Sequence, residues 1–375
     1  MIPIHVYQQK TGDFVFLLRR LVELESPTAD KAAVDRAGLF LAGELERLGA
    51  RVERLKQDEA GDHLIARWGA QERGGFLALC HFDTVHPTGM LRENPCQERD
   101  GRLYGPGTQD MKGGIAALLG ALQVLQEQGS GPARPLTALF TTDEEAGSLT
   151  SRPLIEKLAQ EAGLVLCLEP CLPDGSLKTW RKGVGDFELR VRGRSAHAGA
   201  AHAEGRNAIE ELAHQVLRIQ GWTDYERGTT LNVGRITGGT VTNVVPDEAR
   251  AEIDLRVMQP QEAERIAELF RGLRPALEGT SLEVSGGLNR PPMPRDERMV
   301  AAFNRAQEIG RALGLELGEG GTGGGSDANF VAPLGVPVLD GLGPLGDGQH
   351  TGQEYLVIES LPQRAALLGA LLTAW

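Results

Sequence analysis

The strongest constraint on the fold is a change of pattern partway along the chain. In the first half, short apolar runs alternate with helical patterns, which is typical of a mostly parallel sheet with helices on both faces. From about residue 175 the order becomes β-α-β-β-α-β, and after about residue 287 the first pattern resumes. The sequence therefore predicts an α/β domain with a mixed, mostly parallel sheet over 1–174 and 288–375. It also predicts an inserted domain over 175–287, a ferredoxin-like α+β unit.

Length and composition support two domains and exclude several classes of partner. The chain has 375 residues, more than the roughly 250–300 at which a single core stops growing. Lys and Arg number 39 against 51 Asp and Glu, and no basic tract stands out, so we expect no nucleic-acid partner. No apolar run is long enough to span a membrane, and the N-terminus has no signal-peptide pattern. Four cysteines without paired spacing favour reduced thiols, and we expect a cytoplasmic protein.

Acidic and imidazole side chains follow the predicted strands of the first domain. The strands Gly75–Cys80, Leu136–Thr142 and Leu164–Leu168 are each followed by such residues, namely His81 and Asp83, Asp143 to Glu145, and Glu169. Asp110 directly precedes a predicted helix, and His350 lies in a loop after the strand GVPVLD. Because the carboxyl ends of parallel strands open onto one crevice, we expect these side chains to converge there.

The converging residues predict a metal centre. Imidazoles and carboxylates without cysteine suit zinc, manganese or cobalt, and their number exceeds the needs of one tetrahedral catalytic site. Two metal ions are therefore expected, as in hydrolases that polarise a carbonyl while water attacks it. The adjacent pair Glu144 and Glu145 offers one carboxylate for a metal and one for proton transfer.

Six short motifs along the chain carry a family resemblance. They are HFDTV (81–85), GPGTQDMKGG (105–114), TTDEEAGS (141–148), LEP (168–170), GRSAHAG (193–199) and GQHTGQEY (348–355). Together they resemble the di-zinc carboxypeptidase and deacylase family of metallopeptidases, and the LEP setting is most similar to its folate-cleaving glutamate carboxypeptidase branch. The resemblance implies a catalytic domain of zinc-peptidase type whose inserted domain serves as a lid and forms a homodimer.

The resemblance also implies roles for individual residues of the first domain. It implies two Zn²⁺ per subunit, with Co²⁺ or Mn²⁺ able to replace them. Their ligands would be His81 and Glu169 on one ion, Glu145 and His350 on the other, and Asp110 bridging both. Glu144 would be the general base and then the general acid, and Asp83 would orient the His81 imidazole. The Asp110–Met111 peptide bond would be cis.

Further roles are implied for substrate binding. His197 would donate a hydrogen bond to the oxyanion, either within its own subunit or across a dimer. Asn243 and Arg256 would contact the substrate, although Arg256 could instead pair with Glu252 or Asp254. The glycine-rich segment that contains Gly324 and Ser326 would line the substrate carboxylate, unless it is simply a flexible loop.

The leading interpretation is a metal-dependent hydrolase that cleaves an amide bond next to an amino-acid carboxylate, a carboxypeptidase of the glutamate-carboxypeptidase type acting on small peptides. An N-acyl-amino-acid deacylase is the first alternative, and a non-catalytic peptide-binding homologue is the second. A single-metal oxidoreductase is a third class, which a redox-inert metal content would exclude and which the absence of a G-x-G-x-x-G in the first β-α unit disfavours. We expect no functional role for His5, His63, His86 or His214.

Overall fold

The structure is a computed structural model that describes residues 1–70 and 72–375. The chain divides into two compact units. Unit 1 comprises Met1–Trp180, Arg295–Gly321 and Ser326–Trp375, and unit 2 comprises Arg181–Pro294 and Thr322–Gly325. Within the described part of the chain, we find no helix that is both long and apolar enough to cross a membrane.

Helices and strands alternate through most of the chain. The helices are α1 (Ile4–Gln8), α2 (Thr11–Glu23), α3 (Lys31–Arg47), α4 (Gly113–Glu127), α5 (Arg152–Ala159), α6 (Ala208–Gln220), α7 (Pro260–Arg271), α8 (Glu297–Ala312), α9 (Ala328–Val331) and α10 (Ser360–Ala374). The strands are β1 (Arg51–Leu55), β2 (His63–Trp68), β3 (Gly75–His81), β4 (Gln97–Arg99), β5 (Arg102–Tyr104), β6 (Leu136–Thr141), β7 (Ala162–Cys167), β8 (Leu177–Arg181), β9 (Gly183–Arg192), β10 (Thr230–Gly238), β11 (Glu248–Val257), β12 (Ser281–Arg290), β13 (Glu319–Thr322), β14 (Val338–Asp340), β15 (Gly346–Asp347) and β16 (Tyr355–Val357).

Unit 1 is built on a mixed sheet, which we call the large sheet. Its strand order is β1-β2-β6-β3-β7-β14-β8-β13, and the neighbouring central strands β6, β3, β7 and β14 run parallel. All seven residues of β3 are buried, as expected for a central strand covered on both faces. Helix α4 packs against α2 and α10 and buries most of its side chains. The predicted α/β class with a mostly parallel sheet is confirmed.

Unit 2 has the predicted β-α-β-β-α-β order. Its antiparallel sheet has the strand order β10-β11-β9-β12, and helices α6 and α7 pack on it. Buried and more exposed residues alternate along β9 and β11, which gives the sheet one apolar face. Phe187 of β9 stacks on Phe270 of α7 with ring centroids 3.9 Å apart. The ferredoxin-like arrangement is thus present.

The two units divide the chain a few residues beyond the bounds inferred from sequence. Strand β8 pairs with β14 of the large sheet, so the chain leaves unit 1 only at Trp180 rather than near residue 174. Pro294 ends the main segment of unit 2, and the short segment Thr322–Gly325 also belongs to that unit. Lys182 donates its backbone N–H to the Thr322 carbonyl at 3.1 Å, which ties this short segment to unit 2.

A small sheet with the order β15-β16-β5-β4, which the sequence did not predict, lies within unit 1. Leu356 of β16 pairs with Leu103 of β5, and both side chains are fully buried. The loop from β15 to β16 contains His350, and β5 leads into the turn Thr108–Lys112 that contains Asp110. The small sheet therefore links two of the loops that carry candidate metal ligands.

Candidate active site

The candidate metal ligands of unit 1 lie where the central strands of the large sheet end. His81 is the last residue of β3, and Glu169 follows β7. Leu79 pairs with Cys167, so His81 and Glu169, each two residues further on, stand at the same level of the parallel sheet. Glu145 comes after the neighbouring strand β6. The sheet register therefore explains why residues far apart in sequence meet.

The first candidate ligand group consists of His81, Asp110 and Glu169. The His81 Nε2 atom lies 3.2 Å from an Asp110 carboxylate oxygen and 3.4 Å from a Glu169 carboxylate oxygen. One ligand atom from each residue lies within 4.8 Å of the others. The His81 Nδ1 atom faces the Asp83 carbonyl at 3.1 Å and the Asp83 carboxylate at 3.4 Å. Asp83 thus contacts the ring at Nδ1, while Nε2 faces the carboxylates of Asp110 and Glu169.

The second candidate ligand group consists of Asp110, Glu145 and His350. The His350 Nε2 atom lies 3.4 Å from Asp110 and 3.3 Å from Glu145. Asp110 uses Oδ1 toward His81 and Oδ2 toward His350, so its two oxygens face different groups. The Asp110–Met111 peptide bond is cis, as the resemblance implies. The structure thus brings the five predicted ligands together as two groups that share one carboxylate.

The pKa values of these residues reflect an excess of negative charge. Burial lowers the pKa of the His81 imidazole, but Asp110, Asp83 and Glu169 outweigh it and raise that pKa well above its ordinary value. Hydrogen bonds to Asp110 and Glu145 raise the pKa of His350 to about 10. Although burial favours the neutral acid, contacts with both imidazoles hold the pKa of Asp110 well below its usual range. The crowded carboxylates therefore attract positive charge to this site.

The donor atoms fit divalent cations of the zinc type. Each group offers one imidazole nitrogen and two carboxylate groups, the ligand chemistry that suits zinc, manganese and cobalt. Three protein ligands per ion leave a coordination position open, which distinguishes catalytic zinc sites from structural ones. A cation would also supply the positive charge that the two imidazoles otherwise provide by taking up protons.

Asp143 fixes the turn that presents the two adjacent glutamates. Its buried carboxylate accepts hydrogen bonds from the Thr150 N–H and hydroxyl, both at 2.7 Å, and from the Ser151 N–H at 3.2 Å. Burial raises the pKa of Asp143, but these bonds outweigh it and lower the pKa below the ordinary value. Glu145 belongs to the second ligand group, whereas Glu144 belongs to neither group. Both glutamate side chains are partly buried at the edge of the site.

Two functional candidates that the sequence analysis did not identify lie beside these ligands. Glu354, four residues after His350, is fully buried and accepts the backbone N–H of Asp110 at 3.0 Å. His86, to which we assigned no role, is also buried, and its Nε2 atom lies 2.8 Å from the Glu354 carboxylate. The sequence did contain one signal for Glu354, because this residue belongs to the GQHTGQEY motif.

Two of the predicted substrate-binding residues lie together in unit 2. His197 and Asn243 are exposed, and the Asn243 carbonyl accepts the N–H of Ala198 at 2.9 Å. The His197 Nδ1 atom accepts the N–H groups of Gly199 and Ala200 at 3.1 and 3.0 Å. A neutral ring in this arrangement carries its hydrogen on Nε2, which leaves Nε2–H as an exposed donor.

The remaining predicted substrate contacts are engaged within their own units. Arg256 of unit 2 donates to both oxygens of Asp254, with its closest contact at 2.8 Å, so one of the two sequence alternatives for its partner is present. Gly324, also in unit 2, is exposed and donates its N–H to the Thr322 hydroxyl at 3.2 Å. Ser326 belongs to unit 1 and is fully buried, and its hydroxyl accepts the N–H of Ala328.

Comparison with known proteins agrees with this geometry. Residues 77–374 match the model of peptidase family M20/M25/M40. The chain is 32% identical over 365 residues to carboxypeptidase G2 of Pseudomonas sp. strain RS-16, covering 95% of this chain and 87% of that protein. It is 28% identical over 370 residues to succinyl-diaminopimelate desuccinylase of Thioalkalivibrio sulfidiphilus, covering 93% and 95%.

A solved structure shows the same fold along nearly the whole chain. The crystal structure of aminopeptidase PepT from Bacillus cereus superposes with a TM-score of 0.79 at 25% identity, covering 96% of this chain and 98% of that one. The family match, the relatives and the two ligand groups agree on one class of enzyme. The chain belongs to peptidase family M20/M25/M40 and is a metal-dependent hydrolase of the metallopeptidase and amidohydrolase class.

Proposed function

We propose that this protein is a two-metal carboxypeptidase that cleaves the amide bond next to a free amino-acid carboxylate in small peptides. The observation that carries the proposal is the pair of ligand groups that share Asp110. Glu144 belongs to neither group, but its charge acts on the His81 imidazole. The identity of 32% to carboxypeptidase G2 supports a carboxypeptidase over other members of the family. Zinc is the proposed metal, and cobalt or manganese would suit the same donors.

The proposed mechanism assigns proton transfer to Glu144. Two cations held by His81, Asp110, Glu145, Glu169 and His350 would polarise the scissile carbonyl and acidify a water. The Glu144 carboxylate takes a proton from the attacking water and later donates it to the nitrogen of the leaving amine. Glu144 belongs to neither candidate ligand group, whereas its neighbour Glu145 belongs to the second.

Unit 2 supplies the proposed contacts to the rest of the substrate. We propose that the Nε2–H of His197 donates a hydrogen bond to the oxyanion, since Nδ1 is already an acceptor. Asn243, Arg256 and the exposed backbone at Gly324 are proposed to bind the substrate and its carboxylate. A bidentate grip by Arg256 would require it to release Asp254. Ser326 is proposed to shape the loop instead, because its side chain is fully buried.

The first experiment measures metal content and turnover in one preparation. We expect about two zinc ions per chain and hydrolysis of N-blocked dipeptides with a free C-terminal carboxylate. The matched control is the same dipeptide as its C-terminal amide, which we expect to be cleaved far more slowly because the carboxylate contacts are lost. Equal hydrolysis of the free acid and the amide would contradict carboxypeptidase action.

The role of Glu144 is tested by the variant Glu144→Gln. We expect it to keep both metals and to lose at least about 10²-fold in turnover, because glutamine cannot accept and return the proton. The exposed Glu59→Gln is the matched control and should behave like the wild type. Loss of metal together with activity in Glu144→Gln would show instead that Glu144 is a ligand.

An N-acyl-amino-acid deacylase is the second candidate, favoured by the 28% identity to a desuccinylase along most of the chain. Both reactions use the same ligands and the same proton transfer, and they differ in the acyl group. Faster hydrolysis of acetyl- or succinyl-amino acids than of peptidyl or aromatic acyl analogues would establish the deacylase. Two bound metals without turnover on either series would favour the peptide-binding homologue.

We also propose that unit 2 forms a homodimer. It exposes large apolar side chains, including Leu217 at 75%, Tyr225 at 85% and Val241 at 58% exposure. Light scattering should give twice the mass of 40.3 kDa, and Leu217→Lys or Val241→Lys should shift the protein toward monomer. A cytoplasmic location is proposed because Cys80, Cys96, Cys167 and Cys171 form no disulfide bonds.

A further inference from the structure

The buried carboxylate of Glu354 is surrounded by backbone N–H groups of the segment that carries Asp110. Its Oε1 atom accepts the N–H of Gln109 at 2.8 Å and that of Asp110 at 3.0 Å, and its Oε2 atom accepts the N–H of Gly107 at 2.7 Å. The Nε2 atom of His86 lies 2.8 Å from Oε2. Both oxygens thus act as acceptors, and the backbone curls around a carboxylate as it does in anion-binding nests.

The main chain of Glu354 holds the same segment at its beginning. Its carbonyl oxygen accepts the N–H of Gly105 at 3.2 Å and the side-chain amide of Asn94 at 3.2 Å. Gly105 and Gly107 have φ angles of 143° and 72°, which let the segment curl around the carboxylate where other residues rarely could. One residue therefore fixes the backbone from 105 to 110.

Glu354 is also attached to the other loop that carries a ligand. It lies four residues after His350 and directly before β16, and its own N–H donates to the Thr351 carbonyl at 3.4 Å. The carboxylate side chain thus reaches from the His350 loop to the Asp110 segment, and neither oxygen belongs to a ligand group. A change at Glu354 would move Asp110 and His350 relative to each other.

We propose that Glu354 is a positioning residue that selectively sets the affinity of the second ligand group for its metal. Asp110 and His350 are two of the three ligands in the group Asp110–Glu145–His350, whereas the first group depends on Glu354 only through Asp110. His81 and Glu169 are held instead by β3 and the end of β7. The proposal rests on the proposed two-metal function.

The test is a cobalt titration of metal-free Glu354→Gln, followed by calorimetry and visible absorption. Glutamine keeps the size of the side chain but replaces one acceptor oxygen with a donor group that opposes a backbone N–H. We expect one cobalt to bind nearly as in the wild type and the second to bind about 10- to 100-fold more weakly. With one cobalt bound, its spectrum should match that of His350→Ala, which lacks a ligand of the second group only.

The matched control is Glu211→Gln in unit 2. Glu211 is also fully buried, and it accepts the backbone N–H groups of Ala276 at 2.9 Å and Leu277 at 2.7 Å. Both substitutions should lower the free energy of unfolding, but only Glu354→Gln should change the cobalt titration. This difference separates positioning of the ligands from a general loss of stability.

The outcomes distinguish a failure of the Glu354 proposal from a failure of the proposed two-metal function. If Glu354→Gln lowers the affinity for both metal ions equally, or leaves the titration unchanged, the positioning role is overturned. Fewer than two metals in the wild type instead overturns the proposed two-metal function. If Glu354→Gln does not fold, His86→Asn removes one contact of the same carboxylate. That variant should selectively lower the affinity for the second metal ion, and a titration identical to that of the wild type overturns the proposal.

Discussion

Asp62 is expected to make a large pH-dependent contribution to the stability of unit 1. The side chain is buried and accepts hydrogen bonds from Lys31 Nζ at 2.7 Å, Arg54 Nε at 2.6 Å and the Gln57 N–H at 3.0 Å. Burial alone would raise the pKa of Asp62, but these three donors outweigh it and lower the pKa from 3.8 to about 2. The pKa of Asp62 is thus lower in the folded chain than in the unfolded chain. At about 1.36 kcal/mol per pKa unit, this pKa difference stabilises the folded state by about 2 kcal/mol.

The sign of this contribution sets the pH range of the experiment. Because the pKa is lowered by folding, the stabilisation is complete above about pH 4 and disappears as pH falls through about 2. In urea unfolding without metal, the free energy of unfolding of Asp62→Asn should be about 2 kcal/mol below that of the wild type at pH 7. This difference should shrink to roughly half by pH 3. The exposed Asp58→Asn is the control. A deficit as wide at pH 3 as at pH 7, or no larger than that of the control, would refute the reasoning.

Three further predictions concern packing and metal binding. Gly114→Ala should destabilise the protein by about 1–3 kcal/mol, because its Cβ would overlap the backbone oxygen of Leu168 beside Glu169; a variant as stable as the wild type in urea would contradict this close approach. Gly43→Ala, inside α3 with open space around the new Cβ, should instead stabilise it by about 0.5–1 kcal/mol in the same assay. Adding zinc at about 100 times its dissociation constant to the metal-free protein should raise the free energy of unfolding by about 2.7 kcal/mol. An unchanged melting temperature would argue against a metal site.

The fold could be predicted where elements are long and periodic. The predicted strand over 75–80 is β3, Gly75–His81, and the predicted strand over 136–142 is β6, Leu136–Thr141. The small sheet was missed because its strands have three residues or fewer and are held by pairing between distant segments. Strand β1, RVERL, was missed because it is an edge strand with polar residues on most positions. Such strands carry too few apolar residues to show a period.

The grouping of the metal ligands could be anticipated, but several side-chain contacts could not. Motifs and strand ends pointed to all five residues of the two candidate ligand groups, because parallel strands open onto a common edge. The pairing of Arg256 with Asp254 was only one of two alternatives, since neighbouring charges on one face of a strand compete with any substrate. The burial of Ser326 was not foreseen, because a hydroxyl in a glycine-rich segment gives no sign of which way it points. The catalytic and substrate-binding roles stay predictions until the variants are measured.

The sharing of Asp110 between the two ligand groups gives the metal site a particular vulnerability. Its Oδ1 faces His81 and its Oδ2 faces His350, so the second group depends both on the placement of Asp110 and on the loop that carries His350. Asp110 is not on a strand of the large sheet but in an irregular turn, whose backbone groups are paired with Glu354 rather than with a neighbouring strand. His81 is held in place by strand pairing in the large sheet. Asp110 must instead be held by hydrogen bonds from residues outside the ligand groups. It follows that metal affinity should respond to residues that never touch a metal, and most strongly to Glu354.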